Sequence, residues 1–82
     1  MSLNKEFIQL IQSEVKNHQN DLFFLRECLI RFKDKGMDKD SMLENLQRLR
    51  GISDSRTEDI LLELMDFVDG YCNRNLSIYD SI

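Results

Sequence analysis

Residues 55–71, SRTEDILLELMDFVDGY, carry the strongest hydrophobic pattern in the chain. At about 100° per residue, the apolar side chains of this stretch share an arc about 160° wide, and four carboxylates lie on the opposite side. The apolar set is Ile60, Leu61, Leu64, Met65, Phe67, Val68 and Tyr71, and the acidic set is Asp59, Glu63, Asp66 and Asp69. This pattern is typical of an amphipathic α-helix. Ser55-x-x-Glu58 matches a capping box and predicts that the helix begins there.

Three stretches upstream also repeat apolar residues at helical spacing. Their apolar stripes are Phe7, Ile8, Ile11 and Val15; Leu22, Leu25, Cys28, Leu29 and Phe32; and Met42, Leu43, Leu46 and Leu49. Because the chain contains no proline, Gly, Asn, Asp and Ser must mark the helix ends. We therefore predict four helices, at 4–18, 21–35, 39–50 and 56–70.

Polar residues and one glycine supply the signals at these helix ends. Asn20 or Asp21 can cap the second helix, and Asp38 or Ser41 can cap the third. Gly36 can end the second helix in the left-handed conformation, with the following methionine folded back on that helix.

Four helices with short connections predict an all-α fold, a single-domain antiparallel helical bundle over residues 1–82. The predicted core is Leu25, Leu29, Phe32, Leu46, Leu49, Leu61, Leu64, Met65 and Val68. The tail after residue 73 alternates loosely between apolar and polar side chains, and its conformation stays open.

Length and composition exclude several classes of function. A chain of 82 residues has one modest core and little room for a deep substrate cleft. It has one histidine, His18, and two cysteines, Cys28 and Cys72, which form neither a metal-ligand cluster nor a C-x-x-C pair. We expect reduced thiols, no metal or other cofactor, and no enzymatic activity. Neither a signal peptide nor a membrane span is evident, so we expect a cytoplasmic protein.

Charge is distributed unevenly along the chain. Residues 1–51 carry 9 basic and 8 acidic side chains, whereas residues 52–82 carry 2 basic and 7 acidic ones. This acidic half opposes nucleic-acid binding. Leu62 lies within the acidic arc, out of line with the apolar stripe, which is the composition of an interface anchor surrounded by charge. The predicted partner-binding residues are Glu58, Asp59, Leu62, Glu63, Asp66 and Asp69, and the predicted partner is a basic protein. The alternative is a solvated helix face.

The second helix has a similar feature. Phe23 and Ile30 are seven residues apart and lie away from the main apolar stripe. Either this helix is central in the bundle, with neighbours on two sides, or the two residues form a homodimer surface. The sequence alone leaves both alternatives open, and the homodimer would be a structural or regulatory protein.

Several segments together resemble a family of small helical bacterial proteins. They are Asp21-Leu22-Phe23-Phe24-Leu25-Arg26, Gly36, Leu46-Gln47-Arg48-Leu49-Arg50, Glu58-Asp59-Ile60-Leu61-Leu62-Glu63-Leu64-Met65-Asp66 and Gly70-Tyr71-Cys72. Some proteins of this kind are similar to toxin-immunity proteins. The resemblance implies a compact helical inhibitor that occupies the active site of a toxin or a site nearby. If the toxin is a nuclease, the acidic residues of the inhibitor would occupy the positions where the toxin binds the phosphates of nucleic acid.

Overall fold

The chain forms four α-helices and, among the residues that the structure describes, no strand. The computed structural model describes residues 2–69 and 78–79. The helices are α1 (Leu3–Asn17), α2 (Leu22–Asp34), α3 (Lys39–Gly51) and α4 (Ser55–Asp69). Each boundary lies within one residue of its predicted position, and the all-α prediction is confirmed.

The first three helices begin at a side chain that accepts a hydrogen bond from a free backbone N–H group. The hydroxyl of Ser2 accepts from the N–H of Lys5, and the carboxylate of Asp21 accepts from the N–H of Phe24 at 3.0 Å. Asp38 accepts from the N–H of Ser41 at 2.8 Å. This bond from the backbone lowers the pKa of Asp38. Where the sequence left two candidate caps for α2 and for α3, the aspartates fill the role.

The start of α4 differs from the prediction. Asp54, rather than Ser55, caps this helix, because its carboxylate accepts from the N–H of Thr57 at 2.8 Å. That bond holds the pKa of Asp54 below its ordinary value. The capping box predicted at Ser55 and Glu58 is therefore wrong by one residue. Asp54 is the better acceptor here because its charge strengthens the bond to the backbone at the positive end of the helix.

The end of α2 is a Schellman motif. Gly36 has a φ of +107°, in the left-handed region that favours glycine. Its N–H donates to the carbonyl of Lys33 at 2.9 Å, and the N–H of Met37 donates to the carbonyl of Phe32 at 3.0 Å. Met37 then folds back and is buried. This confirms the predicted left-handed stop at Gly36.

One continuous hydrophobic core joins the four helices. The contact between α3 and α4 is the most extensive, and α2 packs mainly on α1 and α4. The buried apolar residues are Phe7, Ile11, Val15, Leu25, Cys28, Leu29, Phe32, Met37, Met42, Leu46, Leu49, Leu61, Leu64, Phe67, Val68 and Ile78. Every predicted core residue is among them except Met65, which is only partly buried at the edge of the core. Met65 lies on the margin of the apolar arc, where it meets the solvent-facing side of α4.

Three features of the core involve groups other than aliphatic carbon. Phe7 and Phe32 pack edge to face, with ring centroids 5.0 Å apart. Asn45 is buried and donates its side-chain amide to the side-chain oxygen of Asn4 at 3.0 Å, which satisfies one of its polar groups. Cys28 is a free thiol, and burial raises its pKa.

Residues 78–79 contact the bundle. The N–H of Ile78 donates to the carbonyl of Phe67 at 2.9 Å, and the hydroxyl of Tyr79 donates to the carbonyl of Met37. Burial raises the pKa of Tyr79 to about 12. The rest of the tail lies outside the described residues, and so does Cys72, for which a reduced thiol is predicted. None of the helices described has the length and apolar character that a membrane crossing requires.

Candidate functional site

The six predicted partner-binding residues all lie on α4, on the side directed away from the core. We call them the acidic face: Glu58, Asp59, Leu62, Glu63, Asp66 and Asp69. Asp59 and Glu63 are exposed, and the other three carboxylates are partly buried. The buried residues of α4, such as Leu61 and Leu64, occupy the opposite side of the helix. The helical pattern therefore places the acidic face as predicted, because residues three and four positions apart share one side.

Leu62 is the apolar member of this surface. The side chain of Leu62 is 39% exposed, whereas the preceding Leu61 is 1% exposed and Leu64 is fully buried. Leu62 is therefore a solvent-facing leucine with carboxylates at positions 58, 59, 63, 66 and 69 around it. A single exposed leucine is ordinary on a protein surface. Its central position among five carboxylates is the feature that makes it a candidate anchor.

The five carboxylates of the acidic face lack ion-pair partners within the part of the chain that the structure describes. The ion pairs of that part lie elsewhere: His18 with Glu14, Arg26 with Glu27, Lys35 with Glu6 and Arg48 with Glu44. Like charges on one helix face add to a negative potential that extends into solvent by about a Debye length, roughly 8 Å at physiological salt. Within the described residues, therefore, no ion pair compensates the charge of the acidic face.

The two residues of the predicted homodimer surface differ in their burial. Phe23 is 64% exposed, which is unusual for a phenylalanine, whereas Ile30 packs against the core. Because α2 contacts both α1 and α4, a second buried side on this helix accounts for Ile30. It does not account for Phe23, whose side chain stays in solvent.

A partly enclosed cavity of about 220 Å³ lies where α1 ends and α4 begins. Its apolar lining comes from Val15 of α1, Leu49 of α3, Ile52 of the α3–α4 turn and Leu61 of α4. The remaining lining residues are polar: Gln12, Lys16, Ser53, Asp54 and Thr57. Ile52 is 68% exposed and is a large apolar residue in solvent. The cavity is therefore a concave site with a mixed lining, in which Val15, Leu49 and Leu61 are almost fully buried and Ile52 is the exposed apolar residue.

Within residues 2–69 and 78–79, no group of three or more His, Cys, Asp and Glu side chains could hold a metal ion. His18 stacks on Phe24, with ring centroids 4.1 Å apart, and its Nε2 lies 3.3 Å from a carboxylate oxygen of Glu14. These contacts fix the end of α1 against the start of α2, so His18 has a structural setting at the turn.

The cavity and Ile52 were missed by reasoning from the sequence. The predicted helices at 39–50 and 56–70 leave Ile52 in the connection between them, where an isoleucine between Gly51 and Ser53 is an apolar residue among polar ones. That contrast is a usable signal for Ile52. No sequence signal could reveal the cavity itself, because its lining residues come from three helices and a turn.

The chain matches no protein-family model, no curated protein and no solved structure.

Proposed function

We propose that this protein is a small protein-interaction module whose acidic face binds a basic partner protein. The observation that carries the proposal is the arrangement around Leu62, a 39% exposed leucine surrounded by five carboxylates without ion-pair partners in the described chain. Protein interfaces commonly combine an apolar centre, which is buried on binding, with a polar rim.

The two kinds of group in the acidic face would act at different stages of binding. The carboxylates attract a basic surface before contact and so increase the association rate. Leu62 enters an apolar pocket of the partner after contact, excludes water and slows dissociation. Carboxylates without an ion-pair partner among residues 2–69 and 78–79 suit this role, because no ion pair in that part of the chain must break before the partner binds.

An immunity-type inhibitor of a basic toxin is the particular form of this function that we propose. The resemblance to small helical bacterial proteins supports it, as does the density of negative charge on a single helix. For a nuclease toxin, carboxylates spaced along α4 would occupy positions that otherwise hold nucleic-acid phosphates. The cytoplasm is the compartment that we propose for this inhibitor.

A homodimeric structural or regulatory protein is the second candidate. The observation that favours it is Phe23, which exposes 64% of its surface although it is a large aromatic residue. The acidic face does not suit contact with its own copy, because five carboxylates would then face five carboxylates.

The first experiment is to identify the partner with matched baits. Three proteins are immobilised as baits and exposed to lysate of the source cells. They are the wild type, the double variant Glu63→Lys with Asp66→Lys, and the double variant Asp34→Lys with Asp40→Lys. The two double variants make the same change in net charge, and the control pair is exposed on α2 and α3. A basic protein retained by the wild type and the control, but not by the α4 variant, supports the proposal. Equal retention by all three baits refutes it.

The second experiment separates the roles of the two kinds of group. With the purified partner, stopped-flow kinetics are measured at two salt concentrations. Leu62→Ala should act chiefly on the dissociation rate and weaken binding by about 1–3 kcal/mol. Glu63→Lys with Asp66→Lys should act on the association rate, and its effect should shrink at high salt. Wild-type kinetics in both variants would return the acidic face to the interpretation of a solvated surface.

A further inference from the structure

The last turn of α4 carries charges that oppose its helical conformation. The C-terminal end of a helix is the negative end of its dipole, where basic side chains are stabilising and acidic ones are destabilising. Each of the other three helices has basic residues in its last turn, which are Lys16 in α1, Arg31 and Lys33 in α2, and Arg48 and Arg50 in α3. The last turn of α4 has Asp66 and Asp69 instead, and no basic residue. Charge therefore favours fraying at this helix end, and other contacts must hold it.

Ile78 and Tyr79, which we call the clasp, are in direct contact with this turn. A helix leaves its last four carbonyl groups without partners inside the helix. The carbonyl of Phe67 is one of these, because α4 ends at Asp69. The N–H of Ile78 donates to this carbonyl at 2.9 Å, and the side chain of Ile78 is buried in the same core as Phe67. The clasp thus supplies a hydrogen bond and apolar packing to the turn that charge weakens.

The second residue of the clasp is fixed to the end of α2. The hydroxyl of Tyr79 donates to the carbonyl of Met37, and Nζ of Lys33 lies 5.7 Å from the centroid of the Tyr79 ring, within the range of a cation–π contact. Met37 is buried, and its own N–H closes the Schellman motif by donating to the carbonyl of Phe32. Because that motif fixes the end of α2, the clasp holds the last turn of α4 against an ordered part of the fold.

We propose that the clasp is a positioning device for the acidic face, a role that rests on the proposed function of that face. Asp66 and Asp69 lie three and six residues after Glu63, so they share its side of α4 only while the last turn is helical. The closed clasp keeps this turn helical and holds both carboxylates on the acidic face. Release of the clasp lets the turn fray and withdraws two of the five carboxylates. Tyr79, which is outside the acidic face, thereby controls how much charge that face presents.

The test is amide hydrogen exchange of the whole chain, followed residue by residue by NMR. Tyr79→Phe removes only the hydroxyl that donates to the carbonyl of Met37. Because the turn frays only after the clasp has left it, the lost hydrogen bond should lower the protection of residues 67–69 by about threefold to tenfold relative to residues 61–64. Ser2→Ala is the control, since it removes a hydroxyl that caps α1. It should leave the ratio of protection between these two parts of α4 unchanged.

A rescue by charge separates this positioning role from a general loss of stability. Asp66→Asn with Asp69→Asn removes two charges from the negative end of the helix dipole. Added to the clasp variant, this pair should raise the protection of residues 67–69 by about threefold. The matched pair is Glu58→Gln with Asp59→Asn, which makes the same change in net charge near the start of the same helix. The dipole favours carboxylates there, so the matched pair should not raise the protection of the last turn.

Two results overturn the proposal: an equal fall in protection along the whole of α4 in Tyr79→Phe, or equal rescue by the two pairs of substitutions. Circular dichroism verifies that each variant is folded. Ile78→Val, which removes one buried methyl group, takes the place of Tyr79→Phe if that variant is unfolded. None of these measurements needs a partner protein. A clasp that passes them while the wild-type bait retains no basic protein therefore refutes the proposed function alone, and leaves the hold of the clasp on α4 established.

Discussion

Two leucines on α4 should respond differently to the same substitution. Leu64 is fully buried, whereas Leu62 is 39% exposed, and both lie in the middle of the helix. Replacement by alanine removes three carbon atoms at either position. At about 0.8 kcal/mol for each buried carbon, the lost transfer free energy at Leu64 is about 2.4 kcal/mol. The enclosed space left behind adds to this, so we expect a total loss of about 3–4 kcal/mol.

The loss at Leu62 should be much smaller. Its side chain is only partly removed from water, so the transfer free energy is about 1.4 kcal/mol, and no enclosed space is created. Alanine is also a better helix former than leucine, which offsets part of the loss. We therefore expect a net loss of about 1 kcal/mol for Leu62→Ala.

The assay is urea denaturation followed by circular dichroism. A domain of this size has a free energy of unfolding of about 4–12 kcal/mol, so Leu64→Ala removes a large fraction of it. With an m value of about 1 kcal/mol/M, the midpoint should fall by about 3 M for Leu64→Ala and by about 1 M for Leu62→Ala. An unchanged m value shows that the two-state comparison holds. Equal shifts, or a larger shift for Leu62→Ala, would refute the assignment of these two sides of α4.

Two further predictions concern the ends of the helices. Backbone hydrogen bonds hold the pKa of Asp38 and Asp54 below the ordinary value of 3.8, so the stability that they contribute is complete above about pH 5 and is lost as the pH falls through the folded-state pKa. The double variant Asp38→Asn with Asp54→Asn keeps a capping side chain at both positions but has no carboxylate there to titrate. Its urea midpoint, measured from neutral to acid pH, should fall less steeply than that of the wild type. Parallel curves for the two proteins would contradict this. Gly36→Ala should lower the free energy of unfolding by on the order of 1 kcal/mol, because the φ of Gly36 is +107°. Gly51→Ala should raise the free energy of unfolding by about 0.5 kcal/mol, because Gly51 lies in α3 with open space around it. Thermal unfolding of the pair checks the contrast, and two changes of the same sign would contradict it.

Local patterns determined most of the secondary structure. The positions of α1 to α4 follow from apolar spacing, and the left-handed stop at Gly36 follows from its place after an apolar stripe. The start of α4 lies one residue before its predicted position because Asp54 and Ser55 are both common capping residues, and it is the carboxylate of Asp54 that accepts from the free N–H group of Thr57. Met65 shows the same limit, because a residue at the margin of the apolar arc is buried or exposed according to its neighbours.

The acidic face could be located from the sequence, because all six of its residues lie on a single helix and helical geometry alone puts them on one side. The tertiary structure alone decided the features that combine separate segments of the chain. Ile30 joins the core while Phe23 does not, because packing against α1 and α4 covers one and leaves the other in solvent. The cavity near Ile52 exists only where α1, α3 and α4 meet. Side chains that are far apart in the sequence form a shared surface only when the helices pack together. A local sequence pattern does not specify how close two such side chains lie in the folded chain.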